Sequence, residues 1–322
     1  MRHILLAFAS FALTLFAPAP VHAQAYPAKP VRLIVPWAPG GTTDILGRIL
    51  GQKMSEKWGQ PVLVENRGGA AGNIGTEAVV RSAPDGYTLL LGTMSTHAMN
   101  QFLYSSMTFD PVKDLAPVSL VANVATVLVV HPSLPVNNVN ELVALARSKP
   151  GKLNFASGGV ASFNQLCAEL LKMTAKIDIV HVPYKGGGPA VADLVGGKVD
   201  MLFTGAPVTM PHIKAGRLKL LGVTDSRRSA ALPDTPTVAE SLPGVEFNNW
   251  YGVFAPAGTP RPIVDFLNAE VLRILALPDV KERFSGLGAE PTPSTPERFA
   301  AVMAADAEKW GRVIKQAGVR AD

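Results

Sequence analysis

The chain has 322 residues, 48% hydrophobic and 17% charged, which is ample apolar content for a sizeable core. Its net charge of +5 is scattered, Arg227-Arg228 is the only adjacent basic pair, and no aromatic residues interleave with it, so a nucleic-acid partner is excluded. The only cysteine, Cys167, excludes an intramolecular disulfide and reads as a core residue on the apolar side of a helix.

Met1-Arg2-His3 and the apolar run Ile4–Phe16 form a basic start and a short hydrophobic region. Pro18 and Pro20 end that run before the roughly 20 residues that a membrane span needs. Val21-His22-Ala23 offers small residues where a signal peptidase reads, so cleavage is expected after Ala23 and residues 1–23 are expected to be a signal peptide. Taking 23 from 322 leaves 299 residues, which suits two lobes, because single cores stop growing near roughly 250–300 residues.

Strand and helix patterns then alternate. Strands are predicted at Val31–Trp37, Val62–Glu65 and Tyr87–Leu91, with helices at Asp44–Trp58 and Asn73–Ser82 between them. Further strands are predicted at Val127–Val130, Leu153–Ala156, Ile177–Val182, Val199–Phe203, Leu218–Val223 and Trp250–Phe254. The intervening helices are Asn137–Ser148, Phe163–Thr174, Pro189–Val195 and a short turn at His212–Ala215. A Pro-rich stretch runs from Pro233 to Pro243, and helices near Ile263–Leu275 and Pro296–Ala317 close the chain. This alternation predicts an α/β protein with parallel strands and two lobes, 24–124 plus 248–322 and 125–247, with a ligand cleft between them.

Four strand-to-helix junctions carry the same chemistry. They are Pro39-Gly40-Gly41-Thr42-Thr43, Thr93-Met94-Ser95-Thr96-His97, Ser157-Gly158-Gly159-Val160-Ala161-Ser162, and Lys185-Gly186-Gly187-Gly188-Pro189. Glycines let a backbone approach a ligand, and free N–H groups at a helix start attract anions. Thr42 and Thr43 read as capping residues, Pro189 as the first helical residue, and Asp44 as a competitor for the positive helix end. Any one junction alone reads as a tight turn; four together point to a carboxylate. No nucleophile elbow, dinucleotide fingerprint or phosphate loop occurs, so no catalytic residue, metal or cofactor is assigned. His131 and His181 read as structural, and His97 is open between site and structure.

Read in order, Tyr26-Pro27, Val35–Asp44, Val64-Glu65-Asn66-Arg67, Gly72-Asn73-Ile74-Gly75, His131–Pro135, Val182–Gly186, Leu232–Glu240 and Ala255–Pro260 resemble the substrate-binding proteins of tripartite tricarboxylate transporters, the Bug or TctC-like family. The resemblance implies a two-lobed periplasmic binding protein fold with a hinged cleft. It implies reversible capture of a small organic acid without catalysis, and delivery to membrane permease subunits by a monomer. It also implies a carboxylate held mainly by backbone groups of the Pro39–Thr43 loop, completed by the Thr93–His97 and Ser157–Ser162 loops. Thr204 falls where members differ. The residues so expected at the ligand are Pro39, Gly40, Gly41, Thr42, Thr93, Ser95, His97, Ser157, Gly158, Ser162, Gly187, Gly188 and Thr204. A periplasmic sensor subunit for a membrane kinase is the alternative reading, and a hydrolase with an atypical site is a third.

Overall fold

β-branched runs bounded by glycine and proline build two mixed sheets. The computed structural model describes residues 26–225, 227–228, 232–247 and 249–321, so the expected leader lies outside the described residues. The first sheet contains β1 (Val31–Val35), β2 (Val62–Asn66), β3 (Thr88–Thr93), β4 (Leu115–Val124), β10 (Asn249–Pro256) and β11 (Ala289–Pro291), in the order β11-β4-β10-β3-β1-β2. The second contains β5 (Thr126–Val130), β6 (Asn154–Ser157), β7 (Val180–Pro183), β8 (Met201–Gly205) and β9 (Lys219–Val223), in the order β7-β6-β8-β5-β9.

The strands are not all parallel. β1 pairs in parallel with β2 and β3, and β6 with β7 and β8. β10 runs antiparallel between β3 and β4, β11 runs antiparallel to β4, and β5 runs antiparallel to β8 and β9. β10 enters the first sheet directly from the second layer rather than through a crossover helix, so no βαβ unit aligns it with its neighbours.

The helices are α1 (Thr42–Trp58), α2 (Asn73–Val80), α3 (Asn100–Leu103), α4 (Val139–Ser148), α5 (Phe163–Ala175), α6 (Gly187–Val195), α7 (Ala206–Lys214), α8 (Val238–Ser241), α9 (Arg261–Ala276), α10 (Pro278–Gly286) and α11 (Pro296–Ala317). A 3₁₀ turn covers Ala70–Gly72 and a π turn covers Ser95–Met99. None of the described helices is long and apolar enough to cross a membrane. α7 is a full helix where a short turn was expected; Pro211 inside it masks the helical pattern. β4 escapes sequence reading for a similar reason, since Pro117 interrupts it. In the structure Pro117 pairs with Phe254 beside a register irregularity, where a missing N–H is tolerated.

The chain passes from first sheet to second through Ala125, whose N–H reaches Gly288 O at 3.3 Å and whose carbonyl accepts from Ala206 N at 2.8 Å. It is back in the first sheet at Asn249, where β10 begins. Cys167 is fully buried on α5, and that burial pushes its thiol well above the usual range, as suits core packing.

An aromatic cluster backs the middle of the first sheet. Phe299 of α11 stands edge-on to Trp250, with ring centres 5.2 Å apart, and lies 4.8 Å from Phe254. Gly252 lies between these two residues on the same strand face, and a Cβ there would run into the Phe299 ring. Gly252→Ala is therefore expected to destabilise the fold by about 1–3 kcal/mol through overpacking. Urea unfolding measures this, and an unchanged midpoint would show that the ring can move aside.

A glycine-capped cavity between the two sheets

Three helices begin on glycine and point into the space between the sheets. α1 follows Gly41, α6 follows Gly186 and α7 follows Gly205, and none of these N-caps provides a side-chain cap. Thr42 and Thr43 lie inside α1, so they are not its caps, and Pro189 is the third residue of α6 rather than the first. The first N–H groups of such helices have no intrahelical partner, and each helix start carries about half a positive charge. α5 differs, because Ser162 caps it by accepting from Gln165 N.

These ends surround a cavity of about 40 Å³ lined by Trp37, Gly41, Thr42, Thr43, Thr93, Ser95, Gly158, Phe163, Asn164, Gly187, Thr204, Gly205, Asn249 and Tyr251. No lining residue is acidic, basic or a histidine. Seven of the residues expected from sequence line it: Gly41, Thr42, Thr93, Ser95, Gly158, Gly187 and Thr204.

The other six lie outside the lining, for identifiable reasons. Pro39 and Gly40 are exposed on the loop's outer turn, where the Gly40 N–H donates to Asp44 Oδ2 at 2.9 Å. Ser157 Oγ bonds His181 Nε2 at 2.6 Å, and Ser162 is occupied in capping α5. Gly188 faces the opposite sheet's loop. His97 is fully buried behind the wall, stacked on Phe254 with ring centres 3.8 Å apart and 5° between planes. Its Nδ1 meets Thr96 Oγ1 at 2.8 Å, while Nε2 has no hydrogen-bond partner. Burial drives the imidazole down to about 3, so it is neutral at physiological pH.

Sequence reasoning missed Trp37, Phe163, Asn164, Gly205, Asn249 and Tyr251. Asn164 Nδ2 donates to Phe203 O at 2.6 Å, tying α5 to the middle of β8. Tyr251 is buried; Asn249 Nδ2 donates to its hydroxyl at 3.1 Å, and that hydroxyl also bonds Thr42. Thr93 Oγ1 and Asn249 Oδ1 are buried without a hydrogen-bond partner. Buried polar atoms are rarely left so, which marks the wall as built for a polar guest.

Asp44 does not cancel the positive end of α1. Burial pushes its carboxyl up, but hydrogen bonds from Arg48 and from the Gly40 N–H outweigh this and hold it below the usual range. Arg48 also pairs with Asp44 at 3.0 Å, which neutralises its charge.

The two layers meet through glycine. A Cβ on Gly188 would stand 2.5 Å from Pro39 O, and one on Gly186 would stand 3.1 Å from Ala38 N. A Cβ on Gly205 would strike Thr42 Oγ1. Gly41 is less constrained: its φ is −81° and the nearest neighbours of a Cβ there would be 3.6–3.8 Å away.

Two α/β layers thus enclose a polar, uncharged cavity ringed by helix starts. The sequence profile described as Tripartite tricarboxylate transporter family receptor matches residues 46–319, and the chain belongs to that family. It is 38% identical to Protein BugT of Bordetella pertussis, over 99% of each chain. Among solved structures it is similar to R. palustris Rpa4515 with adipate, at 37% identity and TM-score 0.88, covering 92% of this chain and 99% of that one. It is likewise similar to MatC from Rhodopseudomonas palustris with bound malate, at 34% identity and TM-score 0.85, covering 90% and 100%. The mixed α/β architecture is thus that of periplasmic binding proteins, as the sequence resemblance implied.

Proposed function

We propose that this chain is an extracytoplasmic solute-binding protein that captures a small carboxylate between its two layers and delivers it to a tripartite tricarboxylate-type membrane permease. The reading rests on one observation above the rest: three glycine-capped helix starts converge on a cavity with no charged side chain. Backbone N–H groups there can hold a carboxylate without a counter-cation. Gly41, Thr42, Thr93, Ser95, Gly158, Gly187 and Thr204 are its proposed contacts, with Asn164, Asn249 and Tyr251 added from the geometry. Relatives holding adipate and malate support a carboxylate as the ligand class. Residues 24–124 with 248–322 and residues 125–247 act as two lobes, hinged at Ala125 and at the return before Asn249. Residues 1–23 direct export and are removed by cleavage after Ala23. The chain binds and releases its ligand without turning it over.

A ligand that binds only the folded form at 100 times its Kd adds about 2.7 kcal/mol. The midpoint of thermal unfolding is expected to rise by about 5 °C or more with the right acid. A panel of mono-, di- and tricarboxylates tests this on protein refolded free of carried ligand. A panel that leaves the midpoint unmoved throughout overturns the reading.

A further inference from the structure

We propose that the ligand site has two chambers, and that the acid this protein takes carries an apolar body of several carbons, which lies in the outer chamber while its carboxylate enters the inner one. The inference rests on the carboxylate reading above. The inner cavity, about 40 Å³, is far below the roughly 300–1,000 Å³ of ordinary small-molecule sites, so it admits a head group rather than a whole acid. A second cavity of about 500 Å³ adjoins it and shares Trp37 and Gly158 with it. Trp37 thus stands at the junction, its carbonyl fixed by Asn66 Nδ2 at 3.0 Å.

The outer chamber has a different chemistry. Ile74 and Val160 reach it from opposite layers and keep 55% and 45% of their surface in water. Two large aliphatic side chains exposed at one mouth form a surface that an apolar guest would cover. Lys185 is the only charged residue of the lining, and it is exposed, where a charge pair contributes little. The walls are also held in place. Tyr184 is anchored through its hydroxyl to Asp193 at 2.8 Å and through its N–H to Ser157 O at 3.0 Å. Ala70 and Ala71 adopt left-handed backbone (φ 47° and 49°), a costly conformation for alanine, and Asn100 Nδ2 secures the turn by donating to Ala71 O at 3.0 Å. A largely apolar chamber outside a polar head-group site favours longer acids over short hydroxy acids.

Isothermal titration of acetate, succinate, butanoate, hexanoate and octanoate tests the idea on the refolded protein. Affinity is expected to climb about fourfold per methylene group until the chamber is full. In the double variant Ile74→Asp, Val160→Asp, the ratio of octanoate to acetate affinity is expected to fall at least tenfold. If affinity is flat or falls with chain length, or if the ratio survives the double variant, the outer chamber is no subsite, while the carboxylate reading stands. If none of the five acids binds, the two-chamber proposal falls, and the panel of mono-, di- and tricarboxylates decides the carboxylate reading separately.

Discussion

Gly188→Val is expected to abolish carboxylate binding while the protein folds and melts as before. The added Cβ would sit 2.5 Å from Pro39 O and 3.2 Å from Gly40 C, and both partners are backbone atoms of the opposite layer that cannot swing away. On the proposed hinge, that collision exists only when the layers are together, so it would penalise the liganded form and spare an open one. A ligand can draw the layers together only by as much as it prefers the closed form, and a loss of about 5.5 kcal/mol would reverse a 99:1 population. Gly286→Ala is the control, because it lies away from the cavity and its new Cβ would meet nothing within 4 Å. Calorimetry should find no heat with Gly188→Val and unchanged affinity with Gly286→Ala. X-ray scattering should show a radius of gyration that ligand no longer reduces. Unchanged affinity in Gly188→Val would mean that the two layers never approach this closely in solution.

The second large effect concerns acid. His97 is held at about 3 by burial, against an ordinary value of 6.5. The folded protein thus refuses a proton that the unfolded chain accepts. The stability this group contributes is complete above pH 6.5 and is lost as pH falls from 6.5 toward 3, at about 1.4 kcal/mol per pH unit. Asp225 acts with the opposite sign, because burial raises it to about 6, so the total slope is a mixture. The difference between wild type and His97→Phe isolates the histidine. Phenylalanine keeps the ring against Phe254, and Thr96 Oγ1 retains its bonds to Thr93. Between pH 6 and pH 5 the variant is expected to gain about 1.4 kcal/mol on the wild type in urea unfolding. Parallel pH profiles would mean that His97 finds a proton-accepting partner or water in solution.

Much of the architecture was legible because it is written locally. Apolar runs, helix periodicity and Gly59 in the left-handed region at the end of α1 all act within a few residues of one another. The glycine junctions were legible for the same reason, since a helix that begins on glycine shows in sequence. Pairing was not. That Gly252 lies against Ser119, Leu120 and Gly92 depends on contacts across more than 130 residues of chain, and nothing near Gly252 announces them. The missed wall residues share this character. Asn249 and Tyr251 sit in a fully buried strand and read as core, and only the return of that strand beside β3 brings them to Thr42. His97 has a local clue in its apolar neighbours Met94, Ala98 and Met99, all three of which are buried. Gly92 leaves the space it fills, since a Cβ there would stand 2.5 Å from the His97 ring.

The three uncapped helix starts have one more implication. α1 approaches from one layer, α6 and α7 from the other, and all present the same partial charge to the gap. With nothing between them these ends repel, so bringing the empty layers together works against an electrostatic spring. An anion reverses the sign of every one of those interactions at once. Its charge, more than its shape, becomes the latch, and a neutral molecule of the same outline would leave the spring unopposed. Under the proposed function, a permease that recognises the shut form would then be protected from futile docking by vacant receptors, without any residue dedicated to the check.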